Sequence, residues 1–341
     1  AAVYLENDLA PDAFGPERIA LLGMLGGQIA ISLENARLYG NLERALARQT
    51  ALTEAYSRFT PKAFLDFLGV ESILDVRLGD QRHGDMTVLF ADIRGYTTLS
   101  ESMSPEDNFR FINGFLRRMT PLIASHGGVV SDFMGDGVMA FFPENAEDAL
   151  SAAVAMQRAV RVYNDERRGK GRLPIVIGIG LHTGPLMIGI IGDLDRMQAA
   201  LVSDTVNTAA RMEGLTKELR VSIAASDGTV SRIEGATERF ALRHVGDVRP
   251  KGKSQVVRVF ECFDAEPDDI ARARRSTAAE FERALEAWRG ADFGAAVERF
   301  GRVLGASAGD GPAARYLERA QEHAAHGVPA GWAGVETMER K

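Results

Sequence analysis

A segment near the N-terminus without helix-breaking residues most constrains how this chain folds. Residues 16–59 contain no breaker strong enough to end a helix before Pro61, and Pro16 suits a first-turn position. Seam positions along the segment alternate four and three residues apart, which is a heptad pattern. The seam comprises Met24, Gln28, Ile31, Asn35, Leu38, Leu42, Ala45, Gln49, Leu52, Tyr56 and Phe59. We therefore predict a long helix.

Three seam positions of the a type are polar, namely Gln28, Asn35 and Gln49. A polar residue at an a position costs stability but fixes a parallel, two-stranded register. The pattern therefore favours a parallel coiled coil between two copies of the chain. A single amphipathic helix packed on its own domain is the alternative. Before this helix, residues 2–5 are predicted to form a short strand.

The composition excludes several classes of protein. The 341 residues, 26% of them charged and 45% hydrophobic, are typical of about two folded domains. A net charge of −7 provides no basic field, so no nucleic-acid partner is expected. One cysteine, Cys262, excludes a disulfide framework and a cysteine-rich zinc site, and it fits a reducing compartment. Because the first residue is Ala1, we expect a piece of a longer protein.

Two uncharged stretches resemble membrane spans in composition. Residues 19–33 are shorter than the ~18 to 20 residues that a span needs. Residues 173–192 are long enough, but they contain two prolines and several glycines, and Thr183-Gly184-Pro185 predicts the turn of a buried hairpin. No signal peptide is evident. We therefore expect no membrane span and a cytoplasmic protein.

Residues 82–263 alternate between strand and helix patterns. Strands are predicted at 86–91, at 129–142 as a pair around Met134-Gly135-Asp136-Gly137, at 175–191 as the hairpin, and at 221–225, 240–245 and 255–263. Helices are predicted at 105–126, 148–164 and 204–219. This order predicts an α+β sandwich with helices on one face.

Residues 268–326 are helical in pattern, with apolar stripes that include Phe281, Trp288 and Phe300. They resemble one and a half tetratricopeptide units, and about three are needed for a free-standing solenoid. We therefore interpret this tail as a helical cap on the middle domain or on its dimer mate.

Two carboxylates are predicted to meet at the end of a buried strand. Asp92 ends the strand at 86–91 and is followed by Gly95, while Asp136 lies between two glycines at a hairpin tip. Two carboxylates at one place repel unless a cation lies between them, and Mg²⁺ prefers one or two carboxylates plus phosphate oxygens. Taken alone, an Asp at the end of a strand such as Asp92 is more often a helix N-cap than a metal ligand.

Further polar residues suit nucleotide chemistry. Asn207 and Arg211 are four apart and share a helix face, where an amide and a guanidinium suit ribose and phosphate. Lys251 and Lys253 form a basic turn suited to a polyphosphate. A solvated surface is the alternative for each of these groups.

These motifs resemble the class III nucleotidyl cyclases. The resemblance rests on FADIRGYTTLSE, GGVVSDFMGDGVMAFF, GIGLHTGPLMIG, VSDTVNTAARMEGLTK and VRPKGK. It implies a ferredoxin-like α+β core that acts as a homodimer with active sites at the interface. It also implies attack of a ribose 3′-hydroxyl on the α-phosphate, with release of pyrophosphate, in cyclic-nucleotide signalling. YLEN and QIAISLENARLY resemble the end of a GAF domain.

The resemblance also implies roles for individual residues. Asp92, Asp136 and the carbonyl of Ile93 would hold two Mg²⁺ or Mn²⁺ ions. Asn207 would orient the ribose, and Arg211 would stabilise the transition state in the other subunit's site. The remaining substrate contacts would be Gly95, Tyr96, Lys251 and Lys253.

Two positions depart from the pattern of relatives that use ATP. Asp132 stands where those relatives have a lysine, and Ala200 stands where they have Asp or Thr. A carboxylate accepts from guanine N1–H and N2–H₂ but faces the acceptor N1 of adenine. Local chemistry thus favours GTP, whereas the surrounding segments resemble relatives that make cyclic AMP, so a purine nucleoside triphosphate is predicted. Loss of activity, leaving a nucleotide-binding or dimerisation module, is the alternative.

The predicted organisation has four parts. Residues 1–40 would end a GAF-like sensor, 41–80 would form a coiled-coil linker, and 81–264 would form the cyclase domain. Residues 268–341 would form the tetratricopeptide-like tail. An upstream sensor domain is expected outside this chain.

Overall fold

A computed structural model describes residues 4–9, 13–57, 62–193, 196–249, 256–328, 332 and 334–337. It divides the chain into two compact units, Ala1–Lys62 and Ala63–Lys341. The first unit consists mainly of one continuous helix, α1 (Pro16–Ser57), which begins at the predicted proline. The predicted strand at 2–5 is wrong for its described part, because Tyr4 and Leu5 are not in a strand.

The seam residues of α1 are exposed within their own unit. Met24 is 69% exposed and Leu38 is 56% exposed, and other large apolar side chains on the helix are similar. Phe59, the last predicted seam residue, lies outside the described residues. Pro16–Tyr56 is also the one helix in the described ranges that is long and apolar enough to cross a membrane by length and composition.

A mixed sheet forms the centre of the second unit. Its strands are β1 (Gln81–Ile93), β2 (Val129–Met134), β3 (Gly137–Phe142), β4 (Ile177–Gly192), β5 (Met197–Val202), β6 (Ile223–Ser226), β7 (Leu242–Arg249), β8 (Val257–Cys262) and β9 (Glu336–Thr337). Their order is β2-β3-β1-β4-β6-β8-β7-β9, and β5 pairs with β4. The long antiparallel pairing of β1 with β4 is the centre of this sheet.

The helices connect these strands and end the chain. They are α2 (Lys62–Leu68), α3 (Tyr96–Glu101), α4 (Pro105–Ser125), α5 (Ala146–Gly169), α6 (Asp204–Glu218), α7 (Asp227–Val230), α8 (Ala236–Arg239), α9 (Asp268–Arg289), α10 (Phe293–Ala306) and α11 (Gly311–His326). Local capping sets several starts. Ser104 accepts from the Asp107 amide at α4, Asn145 accepts from the Asp148 amide at α5, and Ser203 accepts from the Thr205 amide at α6.

Helices cover both faces of the sheet, so the prediction of helices on one face is wrong. Leu89 and Ala91 of β1 belong to a core formed with α4 and α5. Val88 and Phe90, which alternate with them, belong to a second core that includes Ala209 of α6. A strand with apolar residues on both sides needs cover on both sides.

The predicted hairpin at 175–191 is also wrong, because β4 runs unbroken through Pro185 and pairs with β1 from Ile177 to Gly189. On its other side, β4 pairs with β6 through Leu181 and with β5 from Met187 onward. Pro185 lies between these two partners, where a missing backbone N–H does not interrupt a ladder.

The tail packs on the middle domain as a cap. Phe281 and Trp288 of α9 share a core with Leu215 of α6 and Val245 of β7. A buried ionic group adds to this contact: Arg243 donates to Glu261 at 2.7 Å and to Asp310 at 2.6 Å. The tail is therefore continuous with the fold that carries α6.

Candidate active site

Asp92 and Asp136 are brought together by the pairing of β1 with β3. Ala91 is opposite Val138 in this ladder, so the tight turn before β3 returns to the end of β1. Gly137 directly follows Asp136, and a Cβ there would be 3.1 Å from Oδ1 of Asp92. Gly135, on the other side of Asp136, has φ of +66°, which favours glycine. The structure therefore brings Asp92 and Asp136 together, as predicted.

The electrostatics of this pair favour a cation. The pKa of Asp92 is raised to about 7, first by burial, then by the charge of Asp136 and a hydrogen bond between the two side chains, and further by Glu213. Within the described ranges, neither Asp92 nor Asp136 forms an ion pair with Lys, Arg or His. The donor set of two carboxylates beside a glycine thus fits a hard divalent ion that also carries phosphate.

A larger metal-binding cluster is not found. In the part of the chain that the structure describes, no group of three or more His, Cys, Asp or Glu side chains is arranged to hold a metal ion. Asp92 and Asp136 therefore form a two-carboxylate site. Such a site leaves coordination positions for backbone carbonyl oxygens, substrate oxygens and water.

Glu213 is an acidic neighbour that sequence analysis missed. It lies on α6, and a Cβ at Gly178 would be 3.0 Å from its Oε1. Gly178 is opposite Asp92 in the β1–β4 ladder. Burial raises the pKa of Glu213, the charge of Arg94 lowers it, and the charge of Asp136 raises it. The alternating glycines Gly178 and Gly180 could have predicted this neighbour, because small residues on one face of a strand permit a helix to pack closely against it.

Asn207 and Arg211 share one side of α6, as their spacing predicts. Asn207 is exposed and Arg211 is half-buried. Among the described residues, neither forms a hydrogen bond or an ion pair with Asp92 or Asp136. Nη1 of Arg211 is buried without a hydrogen-bond partner. A single chain therefore leaves this guanidinium incompletely bonded.

Comparisons with known proteins identify the family of the chain. The "Adenylate and Guanylate cyclase catalytic domain" family matches residues 78–261, more than half of the chain. The chain belongs to this cyclase family.

Individual relatives lead to the same family. An adenylate cyclase of Anabaena cylindrica is 37% identical over 214 residues, 61% of this chain and 42% of that protein. A terminal-differentiation-specific adenylate cyclase of Dictyostelium discoideum is 29% identical over 82% of this chain and 13% of that protein. The chain thus spans less than half of each relative. A solved bacterial light-regulated adenylyl cyclase, 22% identical, matches 67% of this chain and 65% of its own with a TM-score of 0.58, which shows the fold.

The segment after Asp92 turns into a short helix. Gly95 has φ of +69° and begins the short α3. The Tyr96 hydroxyl donates to Asn108 at 2.8 Å, and its ring stacks on Phe111. The side chain of Ile93 is buried in the core. Only backbone groups of Ile93 and Tyr96 are therefore candidates for contact with a ligand.

The two positions that we predict to read the base lie on β2 and β5. Asp132 is half-buried at a bulge in β2, and its Oδ2 accepts from the Ser131 hydroxyl at 2.8 Å. Ala200 is opposite Gly189 in the β4–β5 ladder. β2 and β5 approach within 8 Å between Cα atoms. Lys251 and Lys253 lie outside the described residues.

Proposed function

We propose that this cyclase converts a purine nucleoside triphosphate, ATP or GTP, to the 3′,5′-cyclic monophosphate and pyrophosphate at a homodimer interface. The observation that carries the proposal is the convergence of Asp92 and Asp136 at the end of β1, where the described residues place no Lys, Arg or His in an ion pair with either carboxylate. The family relatives named as adenylate cyclases support the reaction class.

The chain's own residues would divide the work. Asp92, Asp136 and the Ile93 carbonyl would hold two Mg²⁺ or Mn²⁺ ions, which lower the pKa of the 3′-hydroxyl and neutralise phosphate charge. The 3′-hydroxyl oxygen forms a bond to the α-phosphorus and its proton leaves to solvent. The bond between the α-phosphorus and the oxygen that bridges to the β-phosphorus breaks, and pyrophosphate leaves with that oxygen. Asn207 would orient the ribose, and Arg211 would donate to the charge that develops on the α-phosphate.

Substrate recognition would use the remaining site residues. Backbone groups of Gly95 and Tyr96 would contact the phosphates, with Lys251 and Lys253 on the triphosphate. Asp132 and Ala200 would face the purine edge. The half-buried carboxylate of Asp132 supports GTP, and the adenylate cyclase relatives support ATP. Both substrates therefore belong to the proposal.

The other parts of the chain complete a signalling protein in this proposal. The end of a GAF-like sensor would precede a coiled coil, and α1 would pair with a second copy through its exposed seam rather than cross a membrane. The tail would be tetratricopeptide-like. A cytoplasmic location fits the single cysteine, Cys262, which is free.

The experiment is an incubation of the purified chain with ATP, GTP, CTP or UTP and Mn²⁺. Cyclic nucleotide and pyrophosphate are separated and measured. We expect equal amounts of both products from a purine substrate, loss of both in Asp136→Asn, and normal yield in Asp75→Asn, a control at an exposed aspartate. Nucleotide binding by a dimer that forms neither product would instead support the alternative, a catalytically inactive nucleotide-binding or dimerisation module.

A further inference from the structure

Arg94 connects the end of β1 to the end of α6. Its guanidinium Nη2 donates to the carbonyl of Thr216 at 2.7 Å and also to the carbonyl of Val221. Its backbone N–H donates to the Val176 carbonyl at 2.8 Å, so the start of this side chain is fixed as well. Carbonyls at a helix C-terminus lack intrahelical partners, and a cation stabilises them. Arg94 therefore binds the C-terminal end of α6 from two residues beyond Asp92.

This arrangement has an energetic cost. Nε of Arg94 is buried and has no hydrogen-bond partner among the residues that the structure describes, and burial lowers the pKa of the guanidinium. A buried polar group without a partner destabilises the folded state. Glu213 is the charged neighbour that most opposes this effect. The charge of Glu213 also acts on Asp92 and Asp136. The destabilising burial of Arg94 is therefore located beside the candidate active site.

The surface of β4 on which α6 packs does not by itself fix the position of the helix, so a contact such as that of Arg94 can determine it. Gly178 and Gly180 present no side chain to the helix, and a Cβ at Gly180 would overlap the backbone nitrogen of Glu213. A surface of glycines permits the helix to approach closely, but it has no side chains that interlock with the helix and prevent it from sliding along its axis. Arg211 precedes Thr216 by about 7.5 Å along the helix, at 1.5 Å per residue. A shift at the Thr216 end therefore moves Arg211 by a similar amount.

We propose that Arg94 is a positioning residue that fixes α6, and with it Asn207 and Arg211, relative to the strand end that carries Asp92. This role rests on the proposed cyclase function. In a homodimer in which Arg211 acts in the partner's site, Arg94 joins the carboxylates of one site to the transition-state groups of the other. Misplacement of such groups by about 1 Å lowers rates up to ~100-fold.

The test compares Arg94→Met and Arg94→Lys with Arg117→Met, a control at an exposed arginine on α4. We expect kcat to fall 10- to 100-fold in Arg94→Met, by the misplacement argument. The Kd of 3′-deoxyATP or 3′-deoxyGTP, which lack the attacking hydroxyl, should change less than about threefold, because Asp92 and Asp136 remain. Arg94→Lys should recover part of kcat, since an ammonium still donates to the carbonyls.

Other outcomes decide against the role. Normal kcat in Arg94→Met with an active wild type overturns the positioning role alone. Equal losses in kcat and in analogue binding also overturn it, because they indicate general damage. If Arg94→Met does not yield a folded dimer, Arg94→Gln replaces it under the same criteria, since its amide keeps a donor. A wild type without turnover overturns the proposed function, and the positioning role with it.

Discussion

Asp92 shows how one residue can be predicted for its place but not for its environment. Its position at a strand end and that of Asp136 at a hairpin tip were enough to predict their meeting. The third carboxylate, Glu213, was not predictable from spacing, because its place depends on α6 crossing β4 at Gly178, which lies opposite Asp92 on the neighbouring strand. Contacts between elements distant in sequence depend on packing, which local patterns do not encode.

The first prediction follows from the raised pKa of Asp92. Its value is about 7 in the folded chain against an ordinary 3.8. Between these values the folded state holds a proton that the unfolded state has lost, so this carboxyl makes stability fall as pH rises. In the presence of a metal chelator, Asp92→Asn should therefore have a higher Tm than the wild type at pH 7.5 but not at pH 4. Asp75→Asn is the control. An equal difference at both pH values would contradict the assignment.

The second prediction concerns the purine base. Asp132 is half-buried and held by Ser131, so its carboxylate is oriented as an acceptor. A mispaired acceptor costs about 1 to 3 kcal/mol, or roughly five- to 150-fold in preference. The double change Asp132→Lys with Ala200→Thr should raise the ATP/GTP ratio of kcat/KM by about tenfold or more. Steady-state kinetics with both substrates measures this ratio. An unchanged ratio would show that these positions do not read the base, and would favour ATP.

At the scale of elements, helices were predicted more accurately than strands. Helix α4 begins at Pro105 as expected, because the Ser104 cap and the apolar period are local signals. Strand β4 was divided by a Thr-Gly-Pro turn signal that the long pairing with β1 overrides. Strand β5, which carries Ala200, was not predicted at all, because its short run has little β-branched content.

The third prediction tests the glycine seat of α6. In Gly180→Ala the new Cβ would overlap the helix backbone, so we expect a loss of about 1 to 3 kcal/mol in the free energy of unfolding, together with lower kcat. Gly214 lies on the same helix with nothing near its Cβ position. Gly214→Ala should therefore stabilise the protein by about 0.4 to 1 kcal/mol. Urea unfolding measures the stability of both variants. Similar effects of the two changes would contradict the close packing of α6 on Gly180.

The fourth prediction concerns the coiled coil of α1. Its apolar seam is exposed in the single chain, and Gln28, Asn35 and Gln49 interrupt it. Replacing all three with Ile should tighten the dimer, because polar a positions cost stability. It should also alter basal turnover, since a switch needs states separated by a few kcal/mol. Sedimentation at several concentrations measures the first effect. An unchanged monomer–dimer equilibrium would show that the seam is wrong.

At the scale of the whole molecule, the tail extends the catalytic fold. Glu261 of β8 is fully buried and paired with Arg243 and Arg274, and Arg243 also binds Asp310 at the start of α11. Removing one partner of a buried pair leaves an uncompensated charge. The sequence indicated the helices of this tail, but these charges look solvent-exposed in a linear pattern. Their partners come from the strands β7 and β8, so only the assembled fold reveals the contact.

The last prediction asks whether two chains share each active site. Arg211 forms no hydrogen bond or ion pair with Asp92 or Asp136 among the described residues, and its Nη1 is buried without a partner. In the proposed homodimer, Arg211 acts in the neighbouring site. Asp92→Ala and Arg211→Ala should each be inactive alone. After subunit exchange in an equal mixture, half of the dimers would carry one intact site of two, so about a quarter of wild-type turnover should return. Turnover is assayed on the whole mixture, and different tags on the two variants verify by co-purification that mixed dimers have formed. No recovery in a demonstrably mixed dimer would mean that each chain completes its own site, with α6 acting on the carboxylates beside it.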